Sequence, residues 1–222
     1  MTRLFAPALL ALAVSAFPQP KPQTLTQGAY RMELLLDRYD GTSWHSIDPG
    51  LILGSGDRVR FRFRTNFNGY LYVTNRSSSG KYEQLFPRAD TGEDNRILAS
   101  HEYQVPATSS LFRIAGPAGY ETVYWLVSPT PLAATPPPHQ EQPMILHPRC
   151  DDTILKARGD CVDSSAGPRL VPRDEPLPDA LAQDVGPKRP DLLVMRQENS
   201  SVIASTVPLN GPVVYEYRLA HR

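Results

Sequence analysis

The stretch that decides the fold is DRVRFRFRT, residues 57–65. Apolar and charged side chains alternate along it, and successive side chains of a β-strand point to opposite faces of the sheet. Val59, Phe61 and Phe63 therefore share one face. Four arginines, called the arginine row below, share the other: Arg58, Arg60, Arg62 and Arg64. The pattern predicts a strand with one face packed on a core and the other in water.

Similar period-2 segments recur along the chain, separated by turns rich in glycine, proline or asparagine. We predict strands at Tyr30–Asp37, Arg58–Thr65, Tyr70–Thr74, Lys81–Phe86, Tyr103–Pro106, Leu111–Ile114, Glu121–Ser128 and Val213–Leu219. Asp40-Gly41 and the segment Asn66–Gly69 are typical of tight turns, and each predicts a hairpin. The predicted fold class is all-β: an antiparallel, Ig-like β-sandwich with a long proline-rich insertion before its last strand.

Composition divides the chain into regions. Residues 1–16 have a basic start, an apolar stretch and a small-residue cleavage site, which predict a secretory signal peptide. Residues 17–28 are proline-rich and predict a flexible lead. Residues 29–132 and 191–222 form the predicted sandwich domain. Residues 133–190 are also proline-rich and lose the period-2 pattern, so we predict a surface insertion that buries little.

Two local features are expected to order parts of this insertion. Cys150 and Cys161 lie eleven positions apart, and thiols of exported proteins tend to oxidise, so we predict a disulfide. Closing a loop of that length would contribute about 3 kcal/mol if the segment is otherwise ordered. We also predict a short helix near Pro178–Val185.

Charge and hydropathy limit the partners and the compartment. The 222 residues carry 23 basic and 23 acidic side chains, and this balance argues against nucleic acid as a partner, because sequence-independent binding needs a positive field. The apolar run Leu4–Val14 is shorter than the roughly 18 residues that span a bilayer. We therefore expect an exported protein, periplasmic or extracellular, with no stable membrane span after signal cleavage.

The arginine row is the most unusual predicted surface feature. Alternation places four guanidinium groups in a line about 7 Å apart, twice the rise per residue of a strand. Guanidinium groups suit carboxylate, sulfate or phosphate, so an anionic polymer could lie along the row. Carboxylates of a neighbouring strand, for instance Glu33 or Glu121, could equally neutralise it as cross-strand pairs. Both interpretations stay open on the sequence.

Recognisable catalytic and metal-binding motifs do not occur in the sequence. There is no Gly-x-Ser-x-Gly elbow, phosphate-binding loop or dinucleotide fingerprint. Two groups contain metal-ligand residue types, but their spacing matches no zinc or calcium motif. These groups are His139, Glu141, His147 and Cys150, and Asp90, Glu93, Asp94 and Asn95. We predict no catalytic residue, no metal site and no cofactor.

Several short motifs, taken in order, resemble a known family. They are Ser55–Arg60, Asn68–Val73, Leu85–Pro87, Asp94–Asn95 and Gly116–Glu121. The series is similar to the bacterial module called domain of unknown function 4384 (DUF4384), over about residues 30–132. The resemblance implies a β-sandwich-like accessory module of exported bacterial proteins, appended in its relatives to kinase-like or caspase-like domains. It implies no ligand, activity or site residue, and this chain adds the insertion and a distal closing strand.

Together these observations predict a non-catalytic domain that binds or scaffolds in the bacterial cell envelope. Its partner would be an unknown envelope protein or an anionic polymer, recognised by a sheet face that carries the arginine row. The alternative is an envelope hydrolase with an active site dispersed over the loops. An enzyme needs a cleft where a histidine or a carboxylate meets a nucleophile, so His45 or His101 beside a serine or a paired carboxylate in a cleft would indicate it.

Overall fold

The computed structural model of the chain describes residues 25–132, 139–143, 146–151, 153, 160–172, 174–185 and 190–222. The predicted signal peptide, and the predicted lead up to residue 24, lie outside these residues. Helix α1 spans Asp179–Val185, where a short helix was expected. No helix in the described part of the chain is long and apolar enough to cross a membrane.

The described strands form two sheets, each of seven strands. Sheet 1 contains β1 (Arg31–Tyr39), β2 (Trp44–Ile47), β3 (Arg58–Thr65), β7 (Glu102–Val105), β8 (Phe112–Arg113), β12 (Leu193–Arg196) and β13 (Ser201–Ala204). Sheet 2 contains β4 (Gly69–Arg76), β5 (Lys81–Phe86), β6 (Arg96–Ile97), β9 (Gly119–Ser128), β10 (His139–Gln140), β11 (Gly167–Arg169) and β14 (Val213–His221). The predicted all-β sandwich of antiparallel sheets is confirmed, and its Ig-like character stays a prediction.

The order of the strands places β1 and β3 at the centre of sheet 1. This sheet runs β12-β13-β1-β3-β7, with β2 also paired to β1 and β8 to β3. Sheet 2 runs β10-β5-β4-β9-β14-β11, with β6 also paired to β4. The predicted turn at Asp40-Gly41 is confirmed, since β1 and β2 pair across it with Tyr39 opposite Trp44.

Aromatic side chains from both sheets meet in the core. Trp125 of β9 is fully buried and lies edge-on to Phe61 and Phe63 of β3, with ring centroids 5.2 and 5.6 Å apart. Tyr217 of β14 meets Phe61 in the same manner at 5.1 Å. Val59, like both phenylalanines, is at most 1% exposed, which confirms the predicted alternation in β3.

The hairpin predicted at Asn66–Gly69 is wrong. The strands on either side belong to different sheets, because β3 pairs with β1 and β7 while β4 pairs with β5 and β9. Phe67 is buried against Tyr30, with ring centroids 4.5 Å apart, and the Asn66 amide donates to the carbonyl oxygen of Ala29. Burying Phe67 between the layers therefore carries the chain from one sheet to the other.

The described parts of the insertion are more ordered than its composition predicts. Gly167–Arg169 forms an edge strand, β11, on β14. Beyond it, four apolar residues form a second buried cluster with outward-facing residues of sheet 2. The four are Val171, Leu177, Leu181 and Val185. Sheet 2 is therefore covered on both faces, which explains why β9 and β14 are buried along almost their whole length.

The predicted flexible lead also ends earlier than residue 28. Leu25 and Thr26 are 5% and 8% exposed, and both backbone N–H groups donate to the carbonyl oxygen of Leu209, at 3.0 and 3.2 Å. Proline content upstream did not indicate this contact, because it is made with a residue far away in sequence. The ordered domain thus begins by residue 25.

Packing of the insertion on sheet 2 can be tested by truncating one leucine. We expect Leu181→Ala to lower the free energy of unfolding by about 2–3 kcal/mol, because the side chain is 3% exposed. Leu170→Ala is the matched control; that leucine is 39% exposed and should cost less than about 0.5 kcal/mol. Urea unfolding followed by circular dichroism gives both values, and equal effects would contradict the packing.

Candidate functional site

The arginine row lies on the outer face of sheet 1, as predicted, but its members differ in exposure. Arg58 and Arg64, at the two ends of β3, are exposed. Arg60 and Arg62 are half-buried, with 22% and 27% of their side chains exposed. The two central arginines are therefore held in place by neighbours that the sequence pattern did not identify.

Asp37 of β1 is the neighbour that fixes them. Its side chain is 1% exposed and accepts two hydrogen bonds from Arg62, at 2.6 and 3.1 Å. It also accepts one from Arg60 Nε at 3.1 Å and one from Ser46 Oγ at 2.8 Å. Burial alone would raise the pKa of Asp37, but the hydrogen bonds from Arg62, Ser46 and Arg60 outweigh it and hold the pKa below its usual value. The carboxylate of Asp37 is therefore ionised, and it accepts hydrogen bonds from three side chains.

Other polar neighbours occupy the remaining parts of the row. Arg60 Nη1 donates to Gln104 at 3.1 Å, and Arg62 Nη1 lies 3.4 Å from Glu102. Arg64 pairs with Glu33 at 3.3 Å, one of the two partners considered from the sequence. The other, Glu121, lies on β9 in sheet 2 and does not contact the row. Cross-strand neutralisation therefore applies to three of the four arginines.

Two aromatic rings extend the same face. The guanidinium carbon of Arg60 lies 4.4 Å from the centroid of Trp44, and that of Arg58 lies 6.0 Å from the centroid of Tyr39. The ring centroids of Tyr39 and Trp44 are 5.2 Å apart, and both side chains are half-buried. A cation above an aromatic ring is attracted to the face of that ring. Tyr39 and Trp44 therefore orient the two guanidinium groups without neutralising their charge.

Arg58 has a neighbour of like charge. It lies directly opposite Arg113 in the pairing of β3 with β8, and both side chains are exposed. Among the described residues, no carboxylate lies within 4 Å of either guanidinium. Like charges directly opposite one another destabilise a sheet. Sequence reasoning did not identify Arg113, because its position beside Arg58 follows from strand register alone.

We call one surface the basic-aromatic face; it is formed by Tyr39, Trp44, Arg58, Arg60, Arg62, Arg64 and Arg113. Its five arginines are accompanied by three carboxylates, which contact only Arg60, Arg62 and Arg64, so two positive charges remain uncompensated. The uncompensated charges lie at the end of β3 where Arg58 and Arg113 meet. Chemically, the face can accept carboxylate, sulfate or phosphate groups and stack planar groups.

His45 does lie beside a serine and a carboxylate, but not as a catalytic relay requires. Its Nε2 is 2.8 Å from Ser43 Oγ and 2.7 Å from Asp40 Oδ2, so both partners contact the same ring nitrogen. In a Ser-His-Asp triad they contact opposite nitrogens. Asp40 also accepts the backbone N–H groups of Thr42 and Ser43, which lowers its pKa and makes it the centre of an exposed turn.

Among the described residues, no serine side chain forms a hydrogen bond with His101. Its Nδ1 lies 3.1 Å from the carbonyl oxygen of Ala99, and its ring is 6.3 Å from that of Tyr103. Both histidines that would have indicated a hydrolase therefore serve the local structure of surface turns.

The residues with metal-ligand side chains are dispersed in the structure. Cys150 and Cys161 form a disulfide with an S–S distance of 2.04 Å, which commits Cys150 as expected. His139 pairs with Glu141 at 3.2 Å, and Asp90 with Arg88. Within the described ranges, no group of three or more His, Cys, Asp or Glu side chains is arranged to hold a metal ion.

Part of the chain is similar to a known protein family. Residues 53–131 match the family described as Domain of unknown function (DUF4384), which confirms the resemblance drawn from the short motifs. The matched range contains β3 and β8, and hence the whole arginine row and Arg113. Asp37 lies outside it. No curated protein and no solved structure matches the chain.

The role of Asp37 can be tested by its effect on stability against pH. We expect Asp37→Asn to lower the free energy of unfolding at pH 7 by about 2–3 kcal/mol, because two arginines lose their ionised partner. The folded-state pKa lies below the ordinary value of 3.8, so the contribution is complete above about pH 4 and is lost as pH falls further.

The difference in stability between wild type and Asp37→Asn should therefore shrink below pH 4. Urea unfolding at pH 7, 4 and 3 measures it, with Glu198→Gln as a control that removes an exposed carboxylate from the β12–β13 turn. If the free energies of unfolding of wild type and Asp37→Asn changed in parallel with pH, Asp37 would not be the ionised partner of the two arginines.

Proposed function

We propose that this chain is a non-catalytic binding domain of the bacterial cell envelope, and that its basic-aromatic face recognises an anionic polymer. The observation that carries the proposal is the pairing of Arg58 with Arg113. Two exposed arginines lie directly opposite each other in a strand pair, and among the described residues neither has a carboxylate partner, an arrangement that costs stability by itself. An anionic ligand that bridges the two would offset that cost.

The structure around the pair supports a binding surface of defined shape. Arg60 and Arg62 are locked by Asp37, so the central part of the face is rigid. Tyr39 and Trp44 add flat apolar area next to the charges. A rigid charged and aromatic surface loses little conformational entropy when a ligand binds.

Export is part of the proposal. It is supported by the N-terminal sequence, which has the features of a secretory signal, and by the disulfide between Cys150 and Cys161, which is typical of oxidising compartments. Anionic polymers that carry carboxylate or phosphate groups are accessible to a protein in such a compartment, whether the partner is a polysaccharide or an acidic segment of an envelope protein.

Binding can be tested with dextran sulfate and polyglutamate as probes and neutral dextran as the control polymer. We expect the double substitution Arg58→Ser, Arg113→Ser to weaken binding to the anionic probes about 5- to 30-fold, since each lost contact is worth about 0.5–1 kcal/mol. Binding of the wild type should also weaken as salt increases from about 50 to 300 mM. Affinities are measured by biolayer interferometry.

The matched control variant is Lys81→Ser, Arg96→Ser, which removes the same charge from exposed positions of sheet 2. It should bind nearly as the wild type does. If the two double variants lost the same affinity for the anionic probes, net charge alone would explain binding and the face would have no specific role. Binding that does not depend on salt would overturn the electrostatic account.

The same double substitution has a second expected outcome, on stability. Removing two opposed like charges should leave the free energy of unfolding unchanged or raise it by up to about 0.5 kcal/mol. Urea unfolding at low salt measures this change. A loss of more than about 1 kcal/mol would indicate that the two arginines serve the fold, and would argue against a binding role.

A further inference from the structure

On one side of the sandwich, the edge strands of the two sheets lie beside a common groove. In the described structure, β11 at the edge of sheet 2 pairs only with β14, and β12 at the edge of sheet 1 pairs only with β13. The groove has a volume of about 580 Å³, and its lining includes Pro168, Leu170, Leu192 and Val194. An edge strand presents unpaired backbone groups, so it can pair with another extended chain unless it is protected.

The two edges differ in how they are protected. β11 contains Pro168, which has no N–H group, and proline is a usual means of blocking an edge. β12 has the sequence Leu-Val-Met-Arg, without proline or glycine. In it, Leu193 is 53% exposed and Met195 is 43% exposed. Large exposed apolar side chains on an unblocked edge are typical of a strand that accepts another strand.

The hydrogen-bond register of β12 shows which of its backbone groups are unused. The N–H of Gln197 donates to the carbonyl oxygen of Ser200 at 2.9 Å, so these residues form a hydrogen-bonded pair just beyond the two strands. Hydrogen-bonded and non-hydrogen-bonded pairs alternate along antiparallel strands. Every second residue back from Gln197 therefore bonds to β13, whereas the N–H and C=O groups of Val194 and Arg196 point away from it. Among the described residues, these groups have no backbone partner.

Arg196 gives the groove a positive charge. It is exposed, and no described carboxylate lies within 4 Å of its guanidinium group. The other arginine of the groove, Arg169, is paired with Glu175 at 2.9 Å. Among the described residues no carboxylate lines the groove itself, although Asp48 and Asp151 lie in an adjoining hollow and accept backbone N–H groups there. A carboxylate supplied by a ligand would give Arg196 a charged partner.

We propose that β12 accepts an extended segment of another protein as a further strand of sheet 1. The segment is apolar where it passes Leu193 and Val194 and carries a carboxylate where it passes Arg196. A peptide backbone supplies N–H and C=O groups at the spacing that the outward groups of β12 require. A second copy of β12 would bring an arginine and no carboxylate, so a different protein fits better. The proposal does not rest on recognition of polymers by the basic-aromatic face.

A synthetic peptide tests the proposal on the unmodified protein. The probe is acetyl-Asp-Val-Thr-Val-Thr-Val-Asp-amide, whose two aspartates place a carboxylate near Arg196 in either strand direction, and the control probe has lysine in both places. We would titrate each into ¹⁵N-labelled protein at pH 7. The aspartate probe should shift the amide proton signals of Val194 and Arg196 downfield and those of Leu193 and Met195 less, because the latter are already bonded to β13. It should bind at least about fivefold more tightly than the lysine probe.

Substitutions at position 194 separate the backbone contact from the side-chain contact. Val194→Pro removes the outward N–H and leaves the ladder to β13 intact, so it should weaken binding of the aspartate probe at least about tenfold. Val194→Ala keeps the N–H and should stay within about threefold of wild type. If Val194→Pro does not fold, as judged by circular dichroism, an aspartate probe with N-methylated valines tests the same contact on the wild type and should not bind.

Arg196→Ser tests the charged contact. It should remove the preference for the aspartate probe over the lysine probe and leave the downfield shift of Val194 in place. The Arg58→Ser, Arg113→Ser variant should bind the aspartate probe as the wild type does, which keeps a failure here distinguishable from a failure of the proposed function.

Several results would overturn the proposal. They are equal affinity for the two probes, equal affinity of Val194→Pro and Val194→Ala, and no shift at Val194 or Arg196 with up to about 5 mM aspartate probe. Loss of binding in the Arg58→Ser, Arg113→Ser variant would instead assign the peptide to the basic-aromatic face. A dimer of the free protein in sedimentation, with the Val194 and Arg196 amides protected from hydrogen exchange, would show that a second copy occupies the edge.

Discussion

The contact on which the rest of the structure depends is the packing of Trp125 against Phe61 and Phe63 of β3. It joins the two sheets at the centre of the core. Side chains alternate along a strand, so fixing these phenylalanines inward fixes every arginine of β3 outward. A register slip of one residue would bury four guanidinium groups and expose two phenylalanines, which no local rearrangement could offset. Core packing thus determines the surface available for recognition.

Where local pattern decides the structure, the sequence is a reliable guide. The bounds of β3 and β5 agree with prediction, and in β3 the reason is clear: one face is buried and the other is wetter, so the signal has period 2. The sequence does not show which strands pair with each other. The turn at Asn66–Gly69 has the residues of a hairpin, yet it joins two sheets, since turn composition reports backbone conformation and not the partner of the next strand. β11 was missed because three residues carry no period and its partner, β14, begins more than forty residues later.

In the candidate site, too, features set within one strand could be predicted, and features set by strand alignment could not. The arginine row could be predicted, because it follows from alternation within one strand. Asp37 and Arg113 could not, because their contacts with the row depend on how β1 and β8 align with β3. Asp37 also looks ordinary in sequence, at the end of an apolar run, and only its burial between Arg60 and Arg62 gives it a role. Strand register therefore determines which arginines are neutralised and which have no described carboxylate partner.

The insertion limits where a partner can bind. Tyr124, Leu126 and Val214 point away from the main core, and without cover they would present an apolar sheet face to water. Val171, Leu177, Leu181 and Val185 provide that cover, although the composition of the insertion suggested a solvated segment. The middle of sheet 2 is consequently covered on both faces, whereas sheet 1 has one face in water. The proposed binding surface is on sheet 1, where the arginines without a described carboxylate partner lie at the end of β3 that pairs with β8.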